Sequence, residues 1–396
     1  MNIDSTTNIT KINDSENPAT TSSPKDEETQ VEIIGNFHGG QTWMLDGHID
    51  DFSVTTRFSN PPVKAIRAAV ESMAEIAHYP DQSCRDALLA LSNFMGPLVS
   101  ANQLLLGNGA SEIIDLVIRL IPNITSFRRG PHSAQYTEYE RCCFLRGLEE
   151  RSCEETADLS CVVNPNSPTG GFLQIDELRQ YIKSTEGYVV VDESFLPFKG
   201  QNWRESSALN LMTEFPNRLI VIHSWTKIFS CPGIRVGSVL ASAELINVLK
   251  KFQVPWSLNM MAQAFIVEAF KDEEYLQETW STVPVWKRSI VNKLHEFGWL
   301  CNPNSPDWVP WVFCDVGSEK TAEQIFNICM DAGVPVRWCN THKLPTCIRL
   351  GIRKPSSQDV LFGVLQREFG NENIERIVST KMNVSNFFAP QKPVIA

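Results

Sequence analysis

Residues 219–241 read LIVIHSWTKIFSCPGIRVGSVLA, and the rest of the chain is best understood outward from them. The runs 219–223 and 236–241 are rich in Val, Ile and Leu without polar alternation, which suits strands buried on both faces. The loop between them carries one lysine, Lys227, flanked by Ser224 and Thr226, with Arg235 further on. A lysine at the end of a buried strand is placed for imine chemistry. Partly withdrawn from water and close to a second cation, its amine loses a proton more readily and becomes nucleophilic. Ser224 and Arg235 add a hydroxyl and a guanidinium suited to a phosphate dianion. A solvated loop lysine beside a structural arginine is the ordinary alternative, so the neighbouring segments have to decide.

Upstream, VVVDESF (189–195) sets Asp192 at the end of an apolar run, where carboxylates of such sheets meet ligands. A carboxylate facing a pyridine nitrogen keeps it protonated and makes the ring an electron sink. NPNSPTG (164–170) is a Pro/Gly-fixed turn after the strand 160–163, and Asn166 or Ser167 can offer a donor to a ring oxygen. GNGASE (107–112) joins a short apolar strand to a helix beginning near Ser111. The free amides and dipole at that helix start, around Gly109, Ala110 and Ser111, suit a phosphate. Each segment alone is common; all of them in this order are not.

Strands at 160–163, 188–191, 219–223 and 236–241 alternate with helices, among them 174–184, and helices are also expected over 63–78 and 85–95. Such alternation predicts an α/β fold with a mainly parallel sheet between helices. Beyond Ala243 come helical patterns at 243–252, 260–270 and 274–297, then WVFCDVG (311–317), a helix at 321–332, VPVRW (334–338), CIRLGIR (347–353) and a helix from Ser357. These predict a smaller α+β domain. The expected division is an acidic disordered tail (1–30), an N-terminal arm (31–60), a large cofactor-binding domain (61–255), linking helices with a small C-terminal domain (256–380), and a tail (381–396).

The 396 residues, 42% hydrophobic and 20% charged, suffice for two core-forming units. A net charge of -11 excludes nucleic acid and anionic membrane as main partners. No apolar run approaches the ~18–20 residues of a membrane span. The 11 cysteines include no CxxC pair, and the 7 histidines show no ligand spacing. Reduced thiols in a cytoplasmic protein are expected, with no metal site. The acidic, apolar-poor N-terminus lacks the features of a secretory or mitochondrial leader.

Together these segments resemble the aminotransferase class I/II superfamily of fold-type-I pyridoxal-phosphate enzymes, over roughly residues 35–369. The resemblance implies pyridoxal 5'-phosphate as cofactor, Lys227 as the Schiff-base lysine and Asp192 as the partner of the ring nitrogen. It places Gly109, Ala110, Ser111, Ser224 and Arg235 around the cofactor phosphate, Tyr136 of GPHSAQYTEYERC on the ring, and Asn166 or Ser167 at the ring oxygen. Tyr79 would reach the phosphate of a neighbouring subunit, which implies a homodimer with shared active sites. Arg349 would grip a substrate carboxylate, a bidentate task for arginine.

HGG (38–40), DFS (51–53), YPD (79–81), GNGASE and PWSLNMMAQ (255–263) are most similar to the branch holding threonine-phosphate decarboxylase and histidinol-phosphate aminotransferase. Phe195 stands where most aminotransferases carry a ring-contacting tyrosine, and the decarboxylases tend to have phenylalanine there. His38, Arg57, Arg337 and Arg353 fall in stretches expected to face the substrate. The resemblance therefore implies a decarboxylase of a small, phosphorylated L-amino acid, with an aminotransferase acting on a 2-oxo acid as the alternative.

Overall fold

The computed structural model describes Gly40 and residues 50–370. The two expected tails and His38 lie outside these residues.

Among the described residues, eleven strands form two sheets. The first is built from β1 (Leu104–Asn108), β2 (Ser126–Arg129), β3 (Glu149–Arg151), β4 (Leu159–Val163), β5 (Tyr188–Asp192), β6 (Leu219–Ser224) and β7 (Val236–Leu240), in the order β1-β7-β6-β5-β4-β2-β3. All run parallel except β7, which is antiparallel to both its neighbours. The carboxyl ends of β1, β4, β5 and β6 therefore share one edge, where ligands meet sheets of this kind.

Burial explains why these strands read as unbroken apolar runs. Val189, Val191, Leu219 and Val221 face a core containing Trp203, Trp225 and Phe198, while Val190, Ile220 and Ile222 face a second core around Ile113, Val117 and Phe127. Two strands, β2 and β3, escape that reading because they are polar. Arg128 of β2 is nevertheless buried, its guanidinium donating to Ser160 Oγ, Thr185 Oγ1 and the carbonyls of Cys153 and Glu155.

The second sheet joins β8 (Leu300–Cys301), β9 (Trp311–Asp315), β10 (Arg337–Trp338) and β11 (Cys347–Gly351) in the order β10-β11-β9-β8, all antiparallel. Helices Glu273–Glu296, Glu319–Asp331 and Pro355–Phe369 accompany it in sequence. The fold is thus α/β with a mainly parallel central sheet flanked by helices and a small C-terminal sheet.

The helix expected over 63–78 ends sooner, running Val63–Ser72 before a 3-10 turn at Met73–Glu75. Its small residues Ala65 and Ala69 turn inward, and the helix packs on Met260–Ala269. Its large apolar residues turn out: Val63, Ile66 and Val70 are exposed, and Met73 and Ile76 continue the stripe.

All eleven cysteines are free; ten are buried and Cys153 is half-buried. Among the described residues no helix is long and apolar enough to cross a membrane.

Candidate active site

The shared sheet edge gathers the predicted chemistry. Asp192 closes β5 and is buried. Its Oδ2 accepts the Tyr139 hydroxyl at 2.9 Å and its Oδ1 accepts the Ser194 amide at 2.9 Å. Burial, reinforced by that carboxylate, holds the Tyr139 phenol well above its ordinary range, so it stays a donor.

One strand over, β6 ends at Ser224, whose amide donates to Ser194 Oγ at 2.8 Å, and a single helical turn, Trp225–Ile228, presents Lys227. Trp225 anchors that turn by donating its indole N–H to Ser238 Oγ at 2.9 Å. Among the described residues Lys227 Nζ has no hydrogen-bond or ion-pair partner, only the Phe195 ring at 5.8 Å. Burial, then Arg349 and Arg235, lower its amine to about 8.

The third part comes from β1 and β7. Their register pairs Gly107 with Gly237 and brings the first turn of the helix Gly109–Leu120 against Arg235. A side chain at Gly237 would meet the Ala110 amide nitrogen at 2.5 Å, and one at Gly109 would lie 2.2 Å from Arg235 Nη2. Gly109 also sits at φ +78°, a left-handed conformation that glycine adopts freely. At the end of β6, Ser224 Oγ lies 2.8 Å from Thr226 Oγ1 of the following turn. Tyr136 hydrogen-bonds Ser111, and its hydroxyl is pushed up to about 12, chiefly by burial and by Glu138.

Arg349 comes from β11. Its Nη1 donates to Ser167 Oγ at 2.8 Å and its Nη2 to the Ser53 carbonyl at 3.0 Å, while Nε is buried without a partner. Arg337 sits directly across the strand pair and donates to Thr341 Oγ1 at 2.8 Å. Burial, with Arg337 adding to it, lowers Arg349 to about 10. Two adjacent guanidiniums and one orphaned N–H call for an anion.

Other expected residues are placed differently. The guanidiniums of Arg57 and Arg353, expected near the substrate, are engaged within the protein: Arg57 donates to Thr279, Ser59 and Glu278, and Arg353 to the carbonyls of Val54, Thr56 and Ile352. Both guanidiniums are consumed by the protein itself because burial demands partners for every N–H. Asn166 spends its amide N–H on Ala134 O and Thr169 Oγ1, whereas Ser167 touches Arg349. Tyr79 is 77% exposed and stacks on Trp256 with ring centres 4.3 Å apart. Tyr139 and Ser194, the residues that fix Asp192, went unread; the spacing of Tyr139 three residues after Tyr136 was the available signal.

These groups fit pyridoxal phosphate. An unpartnered amine can hold its aldehyde and Asp192 its ring nitrogen. The helix start with Ser111, Ser224 and Arg235 would make a cradle for the phosphate, one that a Cβ at Gly109 would obstruct. Gly109→Ala should accordingly weaken cofactor binding about 10- to 100-fold, since one charge-assisted contact is worth about 1.5–3 kcal/mol; equilibrium titration of the cofactor-free protein measures it. The lowered amine makes a second prediction. Only the neutral form captures an aldehyde, so uptake of pyridoxal phosphate should quicken about tenfold per pH unit below about 8 and level off above it. Stopped-flow absorbance reads this directly, and a rise continuing unbroken to pH 10 would refute it.

Residues 51–361 match the family model of aminotransferase class I and II. A histidinol-phosphate aminotransferase of Clostridium botulinum (strain Okra / Type B1) is 24% identical over 330 residues, covering 78% of this chain and 88% of that protein. The fold is similar to histidinol-phosphate aminotransferase from Sinorhizobium meliloti in complex with pyridoxal-5'-phosphate (TM-score 0.72, 17% identity, 81% of this chain and 90% of the other). It is also similar to L-threonine-O-3-phosphate decarboxylase from Porphyromonas gingivalis (TM-score 0.69, 19% identity, 81% and 99%).

Proposed function

We propose, from the premise that this chain belongs to the aminotransferase class I and II family, that it moves an amino group between an L-amino acid and a 2-oxo acid. The chain is a pyridoxal-phosphate enzyme. The expected decarboxylase gives way to the alternative: the curated relative cited above, which matches over most of both chains, is a histidinol-phosphate aminotransferase, whereas the decarboxylase shares the fold at 19% identity. The observation that carries the reading is the Lys227 amine, presented without a polar partner among the described residues by the turn after β6, at the edge where β5 ends in Asp192; lowered to about 8, it can take and return a proton near neutral pH.

When bound, pyridoxal phosphate supplies an aldehyde and a ring that withdraws electrons from the bonds at a substrate's Cα. Asp192, fixed by Tyr139 and Ser194, would hold positive charge at the ring nitrogen. Arg235, Ser111, Ser224 and the amides of Gly109 and Ala110 would hold the phosphate, and Tyr136 would contact the ring. Arg349 holds the substrate carboxylate, so the Cα proton is the group left to Lys227 Nζ. Arg337, beside Arg349, suits a second anion such as a substrate phosphate.

A second copy of the chain completes the site in this proposal. The exposed stripe Val63, Ile66 and Val70 is the surface an apolar interface would cover, and exposed Tyr79 would reach the other copy's phosphate.

The test is a pair of half-reactions with the holoenzyme. L-Glutamate or L-histidinol phosphate should convert the bound cofactor stoichiometrically to its amine form, and 2-oxoglutarate should restore it. Release of carbon dioxide from O-phospho-L-threonine, with the visible band unchanged and no transfer to any oxo acid, would overturn the proposal.

A further inference from the structure

Arg57 was expected at the substrate, and its actual position gives it another task. Residues 53–57 form an irregular strap, yet Ser53, Thr55, Thr56 and Arg57 are all buried. At one end the strap lies along β11. Gly351 N–H donates to the Phe52 carbonyl at 2.7 Å, Arg349 to that of Ser53 and Arg353 to that of Val54. A side chain at Gly351 would sit 2.0 Å from the Val54 carbonyl oxygen, so nothing larger than glycine permits this approach.

At its other end the strap closes under the lysine turn. Arg57 N–H donates to the Lys227 carbonyl at 3.0 Å, and Ser230 Oγ donates back to the Arg57 carbonyl at 3.2 Å. The side chain then leaves in the opposite direction, into the long helix Glu273–Glu296. There Nε donates to Thr279 Oγ1 at 2.5 Å, Nη1 to Ser59 Oγ at 2.8 Å and Nη2 to Glu278. The guanidinium carbon lies 3.8 Å from the centre of the Tyr275 ring and 4.4 Å from that of Phe58. A planar cation between two rings with every edge bonded has one orientation, and that orientation fixes where its own backbone N–H points.

We propose that Arg57 is a positioning residue: it pins the strap to the long helix and so fixes the Lys227 turn relative to Arg349. The turn has only four residues, too short to hold its own place. The Lys227 carbonyl takes its shorter bond from the strap, at 3.0 Å from Arg57 N–H, and a longer one, at 3.4 Å, from the Ser230 amide just beyond the turn. Lys227 and Arg349 are thus tied to opposite ends of one buried segment of five residues. A shift of an ångström between a catalytic group and its substrate costs about 100-fold in rate.

The catalytic arm of the test rests on the aminotransferase reading; the structural arm does not. In the cofactor-free protein, Arg57→Met should speed amide exchange at residues 229–231 and at position 57 at least tenfold, with the strands β4 to β6 unchanged. In the holoenzyme, kcat for amino transfer should fall about 10- to 100-fold while KM for the amino donor stays within about twofold. Arg57→Lys, which keeps the charge toward Glu278, should recover part of both. If Arg57→Met does not fold, Thr279→Val removes one bond of the guanidinium and should show the same exchange pattern more weakly. Unchanged exchange at 229–231 in a folded variant overturns the proposal, as does a raised KM at constant kcat, which would mark a substrate ligand. If the wild type transfers no amino group yet the exchange responds as stated, the functional reading falls and the positioning role stands.

Discussion

Lys227→Ala is expected to remove the visible absorbance of the holoenzyme and to lower kcat by about 10⁴-fold, the upper range for a positioned acid–base group. Borohydride reduction in the presence of pyridoxal phosphate should no longer label this position. The variant should fold, because Nζ makes no polar contact whose loss would orphan a partner. The sign of the linkage sharpens this. A cation whose pKa falls from 10.5 to about 8 on folding is disfavoured by the native state; that cost is fully present below about pH 8 and gone above 10.5. At neutral pH the alanine variant without cofactor should therefore melt at or above the cofactor-free wild type. A variant that kept both the visible band and its turnover would remove Lys227 from the chemistry.

Asp192→Asn should cost about 10³-fold in kcat, the loss typical of one preorganised electrostatic contact. The asparagine has the same shape and can still accept the Ser194 amide. What it lacks is the charge that holds a proton on the ring nitrogen, so cofactor affinity should fall far less than the rate. A cofactor methylated at that nitrogen carries its positive charge permanently and should restore much of the activity to the variant. Failure of such rescue, with the cofactor bound, would separate Asp192 from the ring nitrogen. Asp192→Ala is the poorer test. It strips the partner from a buried phenol, Tyr139, at a cost of about 1–3 kcal/mol, and confuses folding with catalysis.

The parallel sheet was legible because β4, β5 and β6 are buried on both faces and leave no polar alternation to mislead. β2 and β3 were not, because Ser126–Arg129 and Glu149–Arg151 look like loop until tertiary partners for Arg128 are known. The helix Glu138–Leu145 was hidden similarly, by a charged first turn and a weak apolar face. In the site, Lys227, Asp192, Arg235 and the helix start at Gly109 each lie at or close beside the terminus of a strand, so sequence order places them. Arg57 and Arg353 do not. Whether a buried guanidinium meets a ligand or a carbonyl depends on contacts more than two hundred residues apart along the chain, which spacing cannot reveal. The stripe Val63, Ile66 and Val70 carried the converse ambiguity: helical periodicity marks an apolar face without saying whether the same chain covers it.

The cysteines give the folded chain a built-in gauge. Burial holds Cys84 and Cys339 at about 11 and Cys142 and Cys329 at about 12, so as thiols they are both shielded and protonated. Alkylating reagents will find Cys153 on the intact surface, while most of the other sulfurs become reachable only when the layers part. In any preparation the number of modified sulfurs per molecule thus measures how often the architecture comes open.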